Sequence, residues 1–392
     1  MAADVTQTER SVLDWLASQR GPMLDLLETL VNTDGGSYDK AGVDAVGGHL
    51  RGFLEASGIA CETLPNQRFG DALRATVGNG GGSGSNSTIL LLGHRDTVFP
   101  KGEPSRRPFT IENGRAYGPG VCDMKAGLVM NAFVLAAFKQ AGNVPAPLVG
   151  LFTSDEEIGS PECRPLIEAE ARRARAVFNS EPGRPNNAVV TGRKGGTFMR
   201  LAITGKAAHS GANFKDGISA IEELARKITA LHALTDLSKG ITVNVGTVTG
   251  GQTVNTVAPS AGCEVDLRYI APADRNAAMA KIEAIVRTSF VPGTSAELEI
   301  AGEFLPLVET PHSQALFSHY AACGAALDAP VKSEFTGGCA DSGFAAETGA
   351  PTICAVGPVG GKAHTPEEYL EVETLVPRAQ TLALAIMRLG QQ

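Results

Sequence analysis

Thr88-Ile89-Leu90-Leu91-Leu92-Gly93-His94-Arg95-Asp96 is a short apolar run that passes through one glycine into a histidine and two charged residues. A run of this length without a polar side reads as a strand buried on both faces, as in a parallel sheet covered by helices. The pattern returns at residues 148–152, 177–178 and 352–356, with a helical stretch over 124–140 between two of these runs. The alternation predicts an α/β fold, a mostly parallel sheet with helices on both faces. Open sheets of this kind hold their ligands beyond the carboxyl ends of the strands, so the residues that follow each run gain interest from position alone.

Outward from this strand, residues 9–30 carry apolar side chains at helical spacing (Val12, Leu13, Leu16, Met23, Leu24, Leu27, Leu30), broken by Gly21-Pro22, and a second helical stretch runs to residue 57. Gly78-Asn79-Gly80-Gly81-Gly82-Ser83-Gly84-Ser85 lies between strand-like runs at 75–77 and 88–92 and reads as a flexible surface loop. The middle of the chain changes character. Strands are expected at 197–204, 241–248, 263–269 and 296–300, with helices at 218–234 and 273–287, in the order βαββαβ of a two-layer α+β domain. The expected organisation is a discontinuous α/β domain, 1–193 and 304–392, with the two-layer α+β domain at 194–303 inserted into it. A chain of 392 residues exceeds what one core usually sustains, which agrees with two domains.

Composition narrows the function. Apolar residues at 43% and charged residues at 19% describe an ordinary globular protein, and a net charge of −8 argues against a nucleic-acid partner. The apolar runs are strand-sized, so no membrane partner is expected, and the first residues lack a basic stretch followed by an apolar one. Seven cysteines without CxxC spacing fit reduced thiols in the cytoplasm; Cys122 reads as a small packed residue beside a more interesting neighbour.

That neighbour is Asp123, delivered by Tyr117-Gly118-Pro119-Gly120-Val121-Cys122 to the mouth of a helix. An aspartate there serves as a helix N-cap, but its two oxygens also allow it to bridge two cations, and the glycine-rich approach favours the bridge. His94 offers a neutral imidazole to a metal while Asp96 is placed to accept its other N–H. Glu156 and Glu157 follow the strand at 148–152, and being adjacent they cannot serve the same face, so one is free to bind metal while the other faces water. Glu181 follows the run at 177–178, and His364 ends a glycine-rich loop after 352–356. One histidine, several carboxylates and a late histidine satisfy two cations of zinc type, with cobalt or manganese also compatible.

HRDT at 94–97, GPGVCDMKAG at 118–127, TSDEEIGS at 153–160, NSEPG at 179–183, GKAAHSG at 205–211 and GGKAHTPEE at 360–368 occur in that order. Together they resemble the co-catalytic zinc family of carboxypeptidase G, aminoacylase, acetylornithine deacetylase and succinyl-diaminopimelate desuccinylase. The resemblance covers nearly the whole chain and is nearest to the carboxypeptidase G branch. It implies an amide hydrolase in which His94, Asp123 and Glu181 hold one Zn2+ and Asp123, Glu157 and His364 the other. Glu156 is then the general base, taking a proton from water and returning it to the leaving nitrogen. The substrate implied is a small N-acyl amino acid or peptide with a free carboxylate.

The resemblance further implies that 1–193 and 304–392 form the catalytic zinc-binding domain and 194–303 an inserted lid and dimerisation domain, that His209 stabilises the oxyanion across a homodimer interface, and that Asn255 and Arg268 touch substrate. Arg268 also has an ordinary reading as a salt bridge at a strand end. Gly360 and Gly361 would let substrate approach His364, or form a plain turn. One departure stands out: glutamate-releasing relatives carry an arginine where the nearest residue here is Glu303, which argues for a neutral or differently shaped substrate. Two rival readings are an N-carbamoyl amidohydrolase and a relative that binds metal without catalysis; the retained Glu156 speaks against the second.

Overall fold

In the computed structural model, residues 5–78, 87–142, 144 and 146–389 are described. By its packing the chain divides into two units, Met1–Gly192 with Glu309–Thr336 and Ala340–Gln392, and Arg193–Val308 with Gly337–Cys339.

The first unit is built on an eight-stranded sheet. Across it the strands run Ala60–Leu64, Ala72–Val77, Leu148–Thr153, Thr88–His94, Ala174–Asn179, Thr352–Cys354, Ala188–Arg193 and Lys332–Thr336. The four central strands are parallel: Thr88–His94 lies between Leu148–Thr153 and Ala174–Asn179, and the latter pairs with Thr352–Cys354. Antiparallel strands extend both sides. Every residue of Thr88–His94 and Leu148–Thr153 is buried, which is why these segments lack a polar face.

Helix Ala126–Ala141 is apolar all round because it is enclosed by the core. Among the described residues, Val121–Ala141 is the one helical stretch long and apolar enough to cross a membrane, and 94% of its apolar window is buried in the fold. Gly127 lets this helix approach the sheet, since a Cβ there would stand 2.0 Å from the carbonyl oxygen of Ser180. Ser180 Oγ donates to Asn131 Oδ1 at 2.7 Å, and Asn131 Nδ2 donates to Leu92 O at 3.3 Å, so polar groups of the helix tie two strand ends together.

The first helical stretch breaks two residues earlier than its composition indicates. Helices Gln7–Ser18 and Arg20–Val31 meet at Gln19, and Gly21-Pro22 falls inside the first turn of the second. A proline there is tolerated because first-turn amides have no intrahelical acceptor. Beyond Gly78, the glycine-rich loop expected at 78–85 lies outside the described residues.

The second unit is a four-stranded antiparallel sheet, ordered Thr242–Gly250, Ser260–Tyr269, Gly195–Thr204, Ser295–Phe304, with helices Ala220–His232 and Pro272–Arg287 sharing its core. Chain order is βαββαβ, the order that periodicity predicts. The unit reaches past the expected limits of 194 and 303. Arg193 Nη1 donates to the carbonyls of Gly338 and Cys339 at 3.3 and 2.9 Å, which recruits Gly337–Cys339 from a distant part of the chain.

Glu9 joins the two ends of the first unit. It completes a capping box with Thr6, and its carboxylate takes Nε and Nη2 of Arg388 at 2.9 and 3.3 Å. Burial alone would raise the Glu9 pKa, but the bonds from Arg388 and Thr6 outweigh it and lower the value. A depressed folded pKa contributes stability that is present above the ordinary carboxyl range and is lost as pH falls through the folded value. Arg388→Met is therefore expected to lower Tm at pH 7, with the gap to wild type closing below about pH 4. Equal gaps at pH 7 and pH 3 would remove this pair from the account.

Candidate metal centre

His94 is the last residue of its strand, Glu156 and Glu157 form a 3-10 turn after Leu148–Thr153, and Glu181 follows Ala174–Asn179. Three neighbouring parallel strands thus carry their ends to one spot, as the sheet geometry requires. Asp123 enters from Val121–Lys125, a turn in which Asp123 is non-helical (φ −111°, ψ 94°), so its side chain is aimed by the turn and not by the helix that follows. His364 lies in the loop after Gly360–Gly361, with φ +64°.

The two oxygens of Asp123 face two different imidazoles. Oδ1 is 3.3 Å from Nε2 of His94 and Oδ2 is 3.3 Å from Nε2 of His364. His94 Nε2 also meets Glu181 Oε1 at 3.6 Å and Glu156 Oε2 at 3.8 Å, while His364 Nε2 meets Glu157 Oε2 at 3.1 Å. The ligand atoms of His94, Asp123 and Glu157, and those of His94, Glu156 and Glu181, each lie within 4.8 Å of one another.

Electrostatics show what such a cluster lacks. Among the described residues no Lys or Arg pairs with Asp123, Glu156 or Glu157. Burial pushes Glu156 well above the usual carboxyl range and Glu157 up to about 7. Burial would lower His94, yet Glu156 and the other carboxylates outweigh it and hold the imidazole well above its ordinary value; hydrogen bonds donated to the Asp123 and Glu157 carboxylates bring His364 to about 10. Nε2 of His94 is buried with carboxylates around it at 3.3 to 3.8 Å and no well-formed hydrogen bond. Crowded anions and imidazole nitrogens of this kind fit divalent cations, which relieve the repulsion that protons otherwise relieve.

Asp96 does more than orient His94. The His94 Nδ1 hydrogen bond, at 3.0 Å, is with the carbonyl oxygen of Asp96, and the carboxylate stands 3.4 Å away. The carboxylate accepts the backbone N–H of Glu156 and of Glu157 at 3.1 Å each, and Ser37 Oγ–H at 2.7 Å, so it shapes the turn that presents both glutamates.

Two buried acids escape a reading by sequence. Glu368 is fully buried and takes three backbone N–H groups, those of Gly120 at 3.2 Å, Cys122 at 2.9 Å and Asp123 at 3.0 Å. It holds the Asp123 turn from the far side of the His364 loop. Asp341 accepts Thr153 Oγ–H at 3.1 Å and Ser160 Oγ–H, and burial pushes it up to about 7. The only signals were that Glu368 closes the quoted GGKAHTPEE segment and that Asp341 lies in a turn-rich GGCADSG. Gly360 has a packing reason: a Cβ there would meet Tyr369 O at 2.5 Å and Cys122 Sγ at 2.6 Å, and Cys122 is buried against it.

The remaining candidates belong to the second unit. His209 is exposed, and its Nδ1 accepts N–H bonds from Gly211 and Ala212, both at 3.1 Å. An accepting Nδ1 leaves the proton on Nε2, ready to be donated. Ser210 N–H donates to Asn255 O at 3.0 Å, which sets Asn255 beside His209. Arg268 has Nε on Asp266 (2.8 and 3.0 Å) and Nη1 on Cys339 Sγ at 2.7 Å, so the salt-bridge account of this residue is realised. Glu303 meets Arg275 at 2.5 Å, which neutralises the acid that departs from the glutamate-releasing pattern.

Residues 90–388 match the sequence profile of Peptidase family M20/M25/M40. The chain is 29% identical over 401 residues to carboxypeptidase G2 of Pseudomonas sp. (strain RS-16), covering 98% of this chain and 94% of that protein. Its fold is similar to the M20 family metallo-carboxypeptidase Sso-CP2 of Sulfolobus solfataricus (TM-score 0.78, 18% identity, 94% of this chain and 99% of that one). It is also similar to the Bacillus subtilis YXEP protein, described as a dinuclear metal binding peptidase (TM-score 0.66, 16% identity, 95% and 99% covered).

The Glu368 carboxylate fixes the turn that aims Asp123, so its loss should be felt as weakened metal binding. Glu368→Ala is expected to bind Zn2+ about 10–100-fold less tightly in a chelator competition, with Glu368→Gln recovering most of the loss. Wild-type affinity in a folded Glu368→Ala protein would leave Glu368 as a packing residue only.

Proposed function

Since this chain belongs to peptidase family M20/M25/M40 and is a metal-dependent hydrolase, we propose that it cleaves the amide bond of a small N-acyl amino acid or peptide with a free carboxylate. The observation that carries this reading is the Asp123 carboxylate set between two imidazoles, each backed by a further glutamate. We assign His94, Asp123 and Glu181 to one Zn2+ and Asp123, Glu157 and His364 to the other, with Co2+ or Mn2+ as acceptable substitutes. When bound, such cations supply Lewis acidity to a carbonyl oxygen and make water a better nucleophile near neutral pH.

The chain's own residues divide the rest of the work. Glu156 acts as general base at its carboxylate oxygen, accepting a proton from water and passing it to the leaving nitrogen. Asp96 keeps Glu156 and Glu157 pointing apart through their backbone amides. His209, with its proton on Nε2, is suited to donate to a developing oxyanion, and we assign it to the site of a second copy in a homodimer. Asn255 and Arg268 are assigned to the substrate's polar end; the engagement of Arg268 by Asp266 means that binding a carboxylate there costs or rearranges that pair. Glu303, standing where glutamate-releasing relatives carry an arginine, supports a specificity other than glutamate, although its charge is met by Arg275. Free cysteines throughout support a cytoplasmic setting, and the net charge of −8 supports a small-molecule partner over nucleic acid.

A panel of N-acyl amino acids, dipeptides and pteroyl-glutamate analogues with zinc-loaded enzyme, read by released amine, tests the reading. Ammonia with carbon dioxide in place of a carboxylic acid would identify an N-carbamoyl amidohydrolase. Glu156→Ala is expected to keep two cations per chain and lose about 10²–10⁴-fold in kcat. A drop to one cation would instead make Glu156 a ligand. His209→Ala should also bind metal normally while losing activity, and mixing it with Glu156→Ala should restore part of the rate as subunits exchange. No recovery despite demonstrated exchange would confine His209 to its own subunit.

A further inference from the structure

Beside the metal centre, within the first unit, lies a cavity of about 590 Å³, a size ordinary for a small-molecule site. Glu157 forms part of its wall, and the Oε2 of that residue is 3.1 Å from His364, so the cavity opens directly beside the ligand cluster. The other walls are largely apolar: Tyr38, Val98, Phe99, Pro100 and Ile158. Tyr38 and Val98 are large apolar side chains left 74% and 43% exposed, which is unusual next to a centre whose ligands are mostly buried. Tyr38 is not loose, because its ring packs edge-on against Phe69 at 6.1 Å. The Phe99 backbone is equally constrained: a Cβ on Gly36 would stand 2.6 Å from the Phe99 carbonyl oxygen.

Charge decides which end of a substrate fits here. Lys101 is the cation of the cavity wall, and its ammonium already lies 3.1 Å from Asp39. The Ser37 hydroxyl is spent on Asp96. With Glu157 assigned to a cation, the pair that exposed Lys101 makes with Asp39 is the remaining charge of the wall, and the rest of the cavity presents mainly apolar surface. The amino-acid end of the substrate, whose carboxylate is assigned to Asn255 and Arg268, gains nothing from such walls, and the acyl end remains to fill them.

We propose that this cavity seats the acyl group of the substrate, and that the group is uncharged, apolar and bulky, an aromatic ring or a medium-length aliphatic chain in preference to acetyl or succinyl. The inference rests on the amide-hydrolase reading above. An acetyl methyl leaves most of the wall unfilled, whereas each methylene added is worth about 4-fold in binding until the cavity is full. Succinyl is the right length but sets a second carboxylate against apolar side chains, beside a lysine already paired with Asp39.

The test separates the cavity from the reaction. Dissociation constants of zinc-loaded Glu156→Ala for the N-acetyl, N-hexanoyl, N-benzoyl and N-succinyl derivatives of one amino acid read the cavity alone, and wild-type turnover of the same four reads the reaction. Hexanoyl and benzoyl derivatives are expected to bind at least 10-fold more tightly than acetyl, with succinyl weakest. Val98→Lys, a change at an exposed position, is expected to reverse the order of benzoyl and succinyl. Equal affinities across the series, or an order that Val98→Lys leaves untouched, would overturn the assignment of this cavity. Hydrolysis of all four at equal rates keeps the amidase and overturns the cavity; the expected binding order without any hydrolysis keeps the cavity and overturns the amidase.

Discussion

The centre depends on one carboxylate having two oxygens. Asp123 stands between His94 and His364, with one oxygen turned toward each. That arrangement works only if the carboxylate plane is fixed from behind, since a free aspartate would turn toward whichever partner was stronger. Backbone N–H groups of Gly120, Cys122 and Asp123 converging on buried Glu368 provide the fixation. The His364 loop and the Asp123 turn are thereby joined twice, once through the ligands and once through Glu368.

The second constraint is electrostatic. Burying several carboxylates together is costly, and proteins normally offset it with Lys or Arg. Here three strand ends bring Glu156, Glu157 and Glu181 together and the Val121–Lys125 turn adds Asp123, with histidine nitrogens as the facing groups for Asp123, Glu156 and Glu157. Raised values for Glu156 and Glu157 and for both histidines are two faces of the same excess of negative charge. Divalent cations would lower that cost, so the charge excess that raises these values is also what favours a metal.

Reaction class and specificity draw on different parts of the chain. The ligand cluster draws on three strand ends, which carry His94, Glu156 with Glu157, and Glu181 where the sheet dictates, and on the turns that carry Asp123 and His364. The cavity beside the centre is lined instead by loops, among them residues 36–39 and 97–101. Loops tolerate exchange without disturbing the core, which is how one scaffold serves many substrates.

Much of this was determined by the sequence alone. Runs such as 88–92 and 148–152 announced buried parallel strands because burial on both faces abolishes alternation, and the residues just after them became candidates because strand ends are where such sheets hold ligands. His94, Glu156, Glu157 and Glu181 are legible for that reason, and the βαββαβ order of the second unit follows from periodicity. Tertiary structure decided what depends on distance through the fold. Glu368 reaches Asp123 across 245 residues of chain, Asp96 spends its carboxylate on amides sixty residues away, Arg268 is met by Cys339, and Tyr38 shares a cavity with Val98. Local pattern records whether a side chain is buried; only the folded topology determines which other group it is buried against.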